Sequence, residues 1–210
     1  MSSFVLATAN PDKAKEIEEI VGPSLCLVRR PAEVPDVEET GETLLDNARL
    51  KARALVAATG TPAIADDTGL EVDGLGGAPG VYSARYAGEG ATYADNVAKL
   101  LGALAEAEAG AGAGFGARAR AAAGVSRRAR FRTVAVAAWP DGREAVAEGV
   151  VEGIIAGEAR GEGGFGYDPV FIPDGGGGRT FAEMAASRKN ALSHRARAFR
   201  ALAGLLAGTG

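Results

Sequence analysis

Short apolar runs alternate with segments of helical periodicity from the first residues onward, and this alternation confines the chain to an α/β fold. Residues 3–8 (SFVLAT) read as a buried strand. Asn10 is a suitable N-cap, Pro11 suits the first helical position, and residues 11–21 carry apolar side chains at helical spacing. Residues 25–28 read as a second strand, 42–59 as a long helix stopped by Gly60, and 62–65 as a third strand running into an acidic, glycine-rich loop. A helix over 92–104, strands over 130–138 and 144–151 paired as a hairpin around Pro140-Asp141-Gly142, and a last amphipathic helix over 187–207 complete the set. Residues 161–180 are again glycine-rich and enclose a short apolar run, PVFIP. The expected sheet is mixed. Residues 105–128 are rich in Ala, Gly and Arg, have little to bury, and are expected to form a loop insertion.

Composition matters through what it excludes. The chain has 210 residues, enough for one domain or two small lobes sharing a core. A single cysteine, Cys26, and a single histidine, His194, rule out an intrachain disulfide, a thiolate cluster and a multi-histidine site. Any metal must then take oxygen ligands, which suits magnesium. The net charge of −4 gives no general drive toward nucleic acid or membrane, so an anionic substrate would need a local cationic cluster. No apolar run approaches the roughly 20 residues of a membrane span. The opening MSSFVLATANPDK lacks a secretory pattern, and a cytoplasmic protein is expected. The lysines are confined to Lys13, Lys15, Lys51, Lys99 and Lys189 in an otherwise arginine-rich chain, a hint that a compact charge is wanted at some of them.

Several stretches concentrate chemistry, and each also has a plainer reading. In Thr8-Ala9-Asn10-Pro11-Asp12-Lys13 a strand gives way to a helix start, where backbone N–H groups, the dipole and Lys13 favour phosphate; an ordinary helix cap with a surface lysine has the same pattern. Glu38 and Glu39 precede the helix that carries Lys51, and adjacent carboxylates hold magnesium or simply decorate a helix start. In Asp66-Asp67-Thr68-Gly69 the two carboxylates point to opposite sides of a strand end, so one can face metal or water while the other braces the loop. An acidic turn after a strand is the common alternative. Gly163-Gly164-Phe165-Gly166-Tyr167-Asp168-Pro169 places an aromatic ring for stacking and a carboxylate for ring N–H groups, or a glycine turn beside core aromatics. Lys189 and Ser193, four apart, fall on one face of the last helix with His194 and Arg195 one position round, as pocket residues or as its wet face.

Taken in order, TANPDK, EETGETLLDNARLKA, ADDTGLEVDGLGGAPGVYSARYAG, GGFGYDPVF and KNALSHRARA resemble the motif series of the inosine triphosphate pyrophosphatase family, over nearly the whole chain apart from 105–128. The resemblance implies a single pyrophosphatase domain over 1–210, with an elongated central mixed sheet flanked by helices and two lobes with a cleft between them. It implies hydrolysis of ITP, dITP and XTP to the monophosphate and pyrophosphate with Mg2+, in a homodimer. By the same resemblance Thr8, Asn10, Lys13 and Lys51 contact the triphosphate, and Asp67 is the catalytic, metal-associated carboxylate. Glu38 or Glu39 helps hold magnesium, and Thr68 lines the site where relatives usually have Ser. Phe165 stacks on the purine with Gly166, Tyr167 and Asp168 beside it, while Lys189, His194 and Arg195 read the base and its 6-oxygen. EGVVEGIIA lacks an aromatic that some relatives carry, which leaves one wall of the base pocket undefined.

Overall fold

The computed structural model describes residues 3–22, 24–111 and 125–208. One mixed sheet organises the chain, with strands β1 (Ser3–Leu6), β2 (Cys26–Arg29), β3 (Ala63–Val72), β4 (Pro79–Gly80), β5 (Arg128–Ala138), β6 (Glu144–Ile155) and β7 (Phe171–Pro173) in the order β2-β1-β3-β5-β6-β7, β4 pairing with β3. The helices are α1 (Pro11–Val21), α2 (Leu44–Thr59), α3 (Tyr93–Ala111), α4 (Ala186–Leu192) and α5 (His194–Ala207). The expected α/β class and mixed sheet are borne out. No helix among the described residues is long and apolar enough to cross a membrane.

The chain divides into two compact units. The first contains the residues up to Thr68, Arg132–Val150 and the chain from Asn190 onward. In it β1 runs parallel to both β2 and β3. Phe4, Leu6 and Ile64 of the sheet, with Ala135 and Ala137 of β5, pack against Ala14, Ile17 and Val21 of α1 and Ala198, Phe199 and Leu202 of α5. The three- and four-residue spacings of those helical positions make one apolar stripe on each helix. α2 buries Leu44, Ala48, Ala52 and Leu55 at the same spacing. Asn10 caps α1 by accepting from the Asp12 and Lys13 amides, and Thr43 caps α2 by accepting from Asp46. Gly60 ends α2 in the left-handed region, at φ 65°.

The second unit contains Gly69–Phe131 and Val151–Lys189. There β3 pairs antiparallel with β4, and β6 antiparallel with β7. Phe131, Phe171 and Phe181 form an aromatic core, with ring centroids 4.7 Å apart for the first two and 5.3 Å for the last two.

Two expectations are corrected. The acidic stretch read as a loop after residue 65 is the middle of β3, which continues to Val72 with both faces buried. Its charges mimic a turn in sequence, but helices on either face neutralise them, as described below. The final helix is not continuous. It breaks at Ser193, whose hydroxyl accepts from the Ala196 amide and starts α5 afresh. Lys189 and Ser193 therefore do not share one helix face. Smaller differences concern ends: α2 begins at Leu44, β5 and β6 are longer than read, and α3 continues to Ala111. The part of the expected insertion over 112–124 lies outside the described residues.

The start of α5 sits directly on β6. A Cβ at Gly149 would lie 2.1 Å from the His194 carbonyl oxygen and 2.4 Å from the Ala198 nitrogen. Gly149→Ala is therefore expected to destabilise the protein by about 2–3 kcal/mol through forced backbone shifts. Gly102, helical in α3 with no atom near its Cβ direction, should behave oppositely, Gly102→Ala adding about 0.5–1 kcal/mol. Chemical denaturation of both variants checks the pair. Equal effects would contradict this packing.

Candidate functional site

β3 carries two consecutive buried carboxylates in the first unit, and the two-residue repeat of a strand sends them to opposite faces. Asp66 lies on the same face as Ile64, under α1 and α5. Its Oδ2 accepts from Arg195 Nε at 3.4 Å and from the Thr68 hydroxyl at 3.2 Å, with Lys13 Nζ 3.9 Å away. Arg195, 2% exposed, also donates to Glu16 of α1 through Nη1 and to Thr68 Oγ1 at 3.2 Å through Nη2. Burial acts to raise the Asp66 carboxyl, but Lys13, Arg195 and Lys51 outweigh it and hold it below the usual carboxylate range. Thr68 continues into Thr133 at 2.7 Å, and Thr133 into His194 Nδ1 at 2.6 Å.

Asp67 faces α2. Its Oδ1 accepts from Lys51 Nζ at 2.9 Å, and its Oδ2 from Asn47 Nδ2 at 3.3 Å. Lys51 donates at the same time to Glu39 Oε1 at 2.8 Å, so two carboxylates converge on one ammonium. Asn47, fully buried, also accepts from the Gly41 amide at 2.8 Å and ties the Glu39 loop to the centre. Burial is the largest influence on Asp67 and pushes its carboxyl upward, against the pull of Lys51 and Lys13, which makes it a stronger base. Burial lowers Lys51, but Asp67, Glu39 and Asp66 overcome it and the net direction is up. Burial lowers Lys13, as do Lys51 and Arg195, against Asp66.

The structure thus brings together Glu39, Lys51 and Asp67, and on the other face Lys13, Asp66, Thr68, His194 and Arg195. Glu38 is exposed, and among the described residues no side-chain bond joins it to the group. Thr8 accepts from the Asn10 amide at 3.1 Å, while Ala9, Pro11 and Asp12 are exposed at the entry to α1. The two groups that accept from Lys51, Glu39 Oε1 and Asp67 Oδ1, are carboxylate oxygens, a pair that fits a hard cation. Among the described residues no group of three or more His, Cys, Asp or Glu side chains gathers as a ready-made cage, so substrate oxygens would have to complete the shell.

The second unit holds the aromatic centre. Phe165 lies in the turn before β7, with Lys189 Nζ 4.7 Å from its ring centroid. Lys189 donates to Asp168 Oδ2 at 2.6 Å, and the same oxygen accepts from the Phe165 amide at 2.9 Å. One carboxylate thereby fixes both the ring-bearing turn and the ammonium. Gly164 is required here: φ is +71°, and a Cβ would fall 2.0 Å from Asp168 Oδ2. Tyr167 is buried and donates to the Ser83 carbonyl at 2.9 Å, which makes it a brace, and burial raises its hydroxyl pKa. Gly166 supplies a left-handed turn at φ 61°.

Sequence reasoning missed Asn47, Thr133 and Tyr93. Asn47 stands four residues before Lys51 and so shares its helix face, a signal present in the sequence. Tyr93, at the start of α3, packs its ring 6.1 Å from that of Phe165. Nothing in the sequence joins positions so far apart.

A model of the Ham1 family matches residues 4–205. A dITP/XTP pyrophosphatase of Streptomyces coelicolor is 44% identical over 207 residues, covering 96% of each chain. One of Thermus thermophilus is 46% identical over 203 residues, covering 94% of this chain and 88% of its own. The solved structure of a HAM1 protein from Coxiella burnetii superposes with a TM-score of 0.82 at 39% identity over the whole of both chains. The Ham1 protein of Staphylococcus aureus gives 0.80 at 37% identity, again over the whole of both. By sequence over almost its full length and by fold, this chain belongs to the Ham1 family.

Proposed function

We propose that the chain is a nucleoside-triphosphate pyrophosphatase that converts ITP, dITP and XTP to the monophosphate and pyrophosphate, keeping these nucleotides out of DNA and RNA. The observation that carries the reading is the convergence of Asp67 and Glu39 on Lys51, a buried base beside paired charges suited to a metal–triphosphate. The names of the relatives supply the substrate class.

In this reading Glu39 and Asp67 would hold Mg2+, which when bound would supply positive charge to neutralise the phosphates. Lys13 and Lys51 bind the triphosphate, with Thr8 and Asn10 at the start of α1. Asp67 takes a proton from water as the water oxygen bonds to the α-phosphorus. The bond from that phosphorus to the bridging oxygen breaks, and pyrophosphate leaves with the negative charge that the lysines stabilise. Phe165 stacks on the purine. Lys189 and Arg195 donate to the 6-oxygen, and His194 belongs to the same base-reading group. Adenine offers an amine at that position, so a donor there is left unpaired with ATP, which disfavours it. The chain works as one domain, and we extend the proposal to a cytoplasmic homodimer that needs neither nucleic acid nor membrane.

The test is a panel of ITP, XTP, dITP, GTP, ATP and dUTP with Mg2+, with products identified. Asp67→Asn should lower kcat for ITP by about 10²–10⁴-fold while nucleotide still binds. A variant keeping more than about a tenth of wild-type kcat would remove Asp67 from this role. Phe165→Ala should raise KM for ITP about 10-fold or more with a smaller change in kcat, since stacking on one base contributes about 1–3 kcal/mol. An unchanged KM would exclude stacking. Arg195→Lys keeps a charge beside Glu16 and Asp66 but loses the planar geometry. It should shrink the ITP/ATP ratio of kcat/KM about 10-fold, whereas ITP and ATP falling together would make Arg195 purely structural.

A further inference from the structure

A chain of hydroxyls runs from Asp66 to the only histidine: Asp66 Oδ2 to Thr68 Oγ1 at 3.2 Å, Thr68 to Thr133 Oγ1 at 2.7 Å, and Thr133 to His194 Nδ1 at 2.6 Å. Each threonine has one proton to give, and Thr68 donating to Asp66 while Thr133 donates to His194 would leave no hydrogen between two hydroxyl oxygens 2.7 Å apart, so the hydrogens all run one way. Thr68 also accepts from Arg195 Nη2 at 3.2 Å, because a guanidinium has no acceptor. Two directions remain.

In the first, Thr68 donates to Asp66, Thr133 donates to Thr68, and His194 Nδ1–H donates to Thr133. Thr68 is then saturated, giving one proton and accepting two. In the second, Nδ1 accepts from Thr133, Thr133 accepts from Thr68, and no hydrogen lies between Thr68 and the Asp66 carboxylate. Two oxygen lone pairs would face each other at 3.2 Å beside a buried anion. The first direction replaces that repulsion with a charge-assisted hydrogen bond, the stronger kind. Asp66 remains an acceptor because Arg195 and Lys13 flank it. Thr68 and Thr133 are both held in place by β strands, Thr133 with no exposed surface.

We infer that Thr133 is a positioning residue that locks His194 in the Nδ1–H tautomer, so that the neutral ring presents Nε2 as a hydrogen-bond acceptor. This inference rests on the reading of His194 as a base-reading residue and specifies its part. A 6-oxopurine carries a hydrogen on N1, whereas the N1 of adenine carries a lone pair. An acceptor on the protein pairs with the former and confronts the latter. The discrimination is in the same direction as a donor to the 6-oxygen but comes from a different atom of the base. The side chain that sets it lies on β5, one step behind the ring.

Because His194 is the sole histidine, its ring nitrogens are read without overlap in a two-bond 1H–15N correlation spectrum of 15N-histidine-labelled protein, taken where the ring is neutral. The expected wild-type spectrum shows Nδ1 protonated and Nε2 bare. Thr133→Val removes the acceptor and should shift the ring toward the Nε2–H form, with the ITP/ATP ratio of kcat/KM falling about 10-fold. Thr133→Ser keeps the hydroxyl and should recover both readouts. A wild-type ring protonated at Nε2 overturns the inference, as does a folded Thr133→Val protein with unchanged tautomer or unchanged ratio. The wild-type spectrum needs neither variant nor substrate. His194→Ala with an unchanged ITP/ATP ratio would instead defeat the base-reading assignment itself, whatever the tautomer.

Discussion

Two adjacent carboxylates in the middle of a buried strand form the constraint on which the first unit depends. A carboxylate taken out of water loses solvation worth several kcal/mol and stays ionised only where cations and hydrogen bonds replace it. Strand geometry sends Asp66 and Asp67 to opposite faces, so no single cation can serve both equally. The chain answers with separate partners: Arg195 and Lys13 from α5 and α1 for Asp66, Lys51 and Asn47 from α2 for Asp67. The positions of three helices on the sheet are thereby coupled to the charges of two residues. The outcome is asymmetric. Asp66 is held well below the usual carboxylate range and serves as a fixed anion, while burial pushes the Asp67 carboxyl upward.

The second unit solves a different problem with the same economy. Asp168 takes the Phe165 amide and the Lys189 ammonium on one oxygen, so ring and charge are set by a single carboxylate. Gly164 makes room for that oxygen, which is why the motif needs a glycine there and not merely a small residue. Tyr167 fastens the same turn to the Ser83 carbonyl.

Much of this was legible in the sequence. Helical spacing located α1 and α2, the Asn10 and Gly60 signals marked their ends, and the opposed directions of Asp66 and Asp67 followed from strand geometry alone. The middle of β3 was not legible, because a local reading of Asp-Asp-Thr-Gly cannot know that cations arrive from residues 13, 51 and 195. The break at Ser193 was hidden for a related reason: serine at an N-cap and serine within a helix look alike until the backbone turns. Thr133 had no sequence signal, since its role depends on its neighbours across the sheet. Among the candidate metal ligands the sequence left Glu38 and Glu39 equivalent. The structure separates them, Glu39 on Lys51 and Glu38 exposed.

We propose that water attacks the α-phosphorus with Asp67 as the base, so that pyrophosphate departs in one piece. Hydrolysis of ITP by the wild-type protein with Mg2+ in 18O-enriched water, followed by mass spectrometry of both products, tests it directly. One 18O atom is expected in the monophosphate and none in pyrophosphate. Label in pyrophosphate would place the attack on the β-phosphorus, and labelled orthophosphate would mean stepwise removal from the end of the chain. Either result would contradict it.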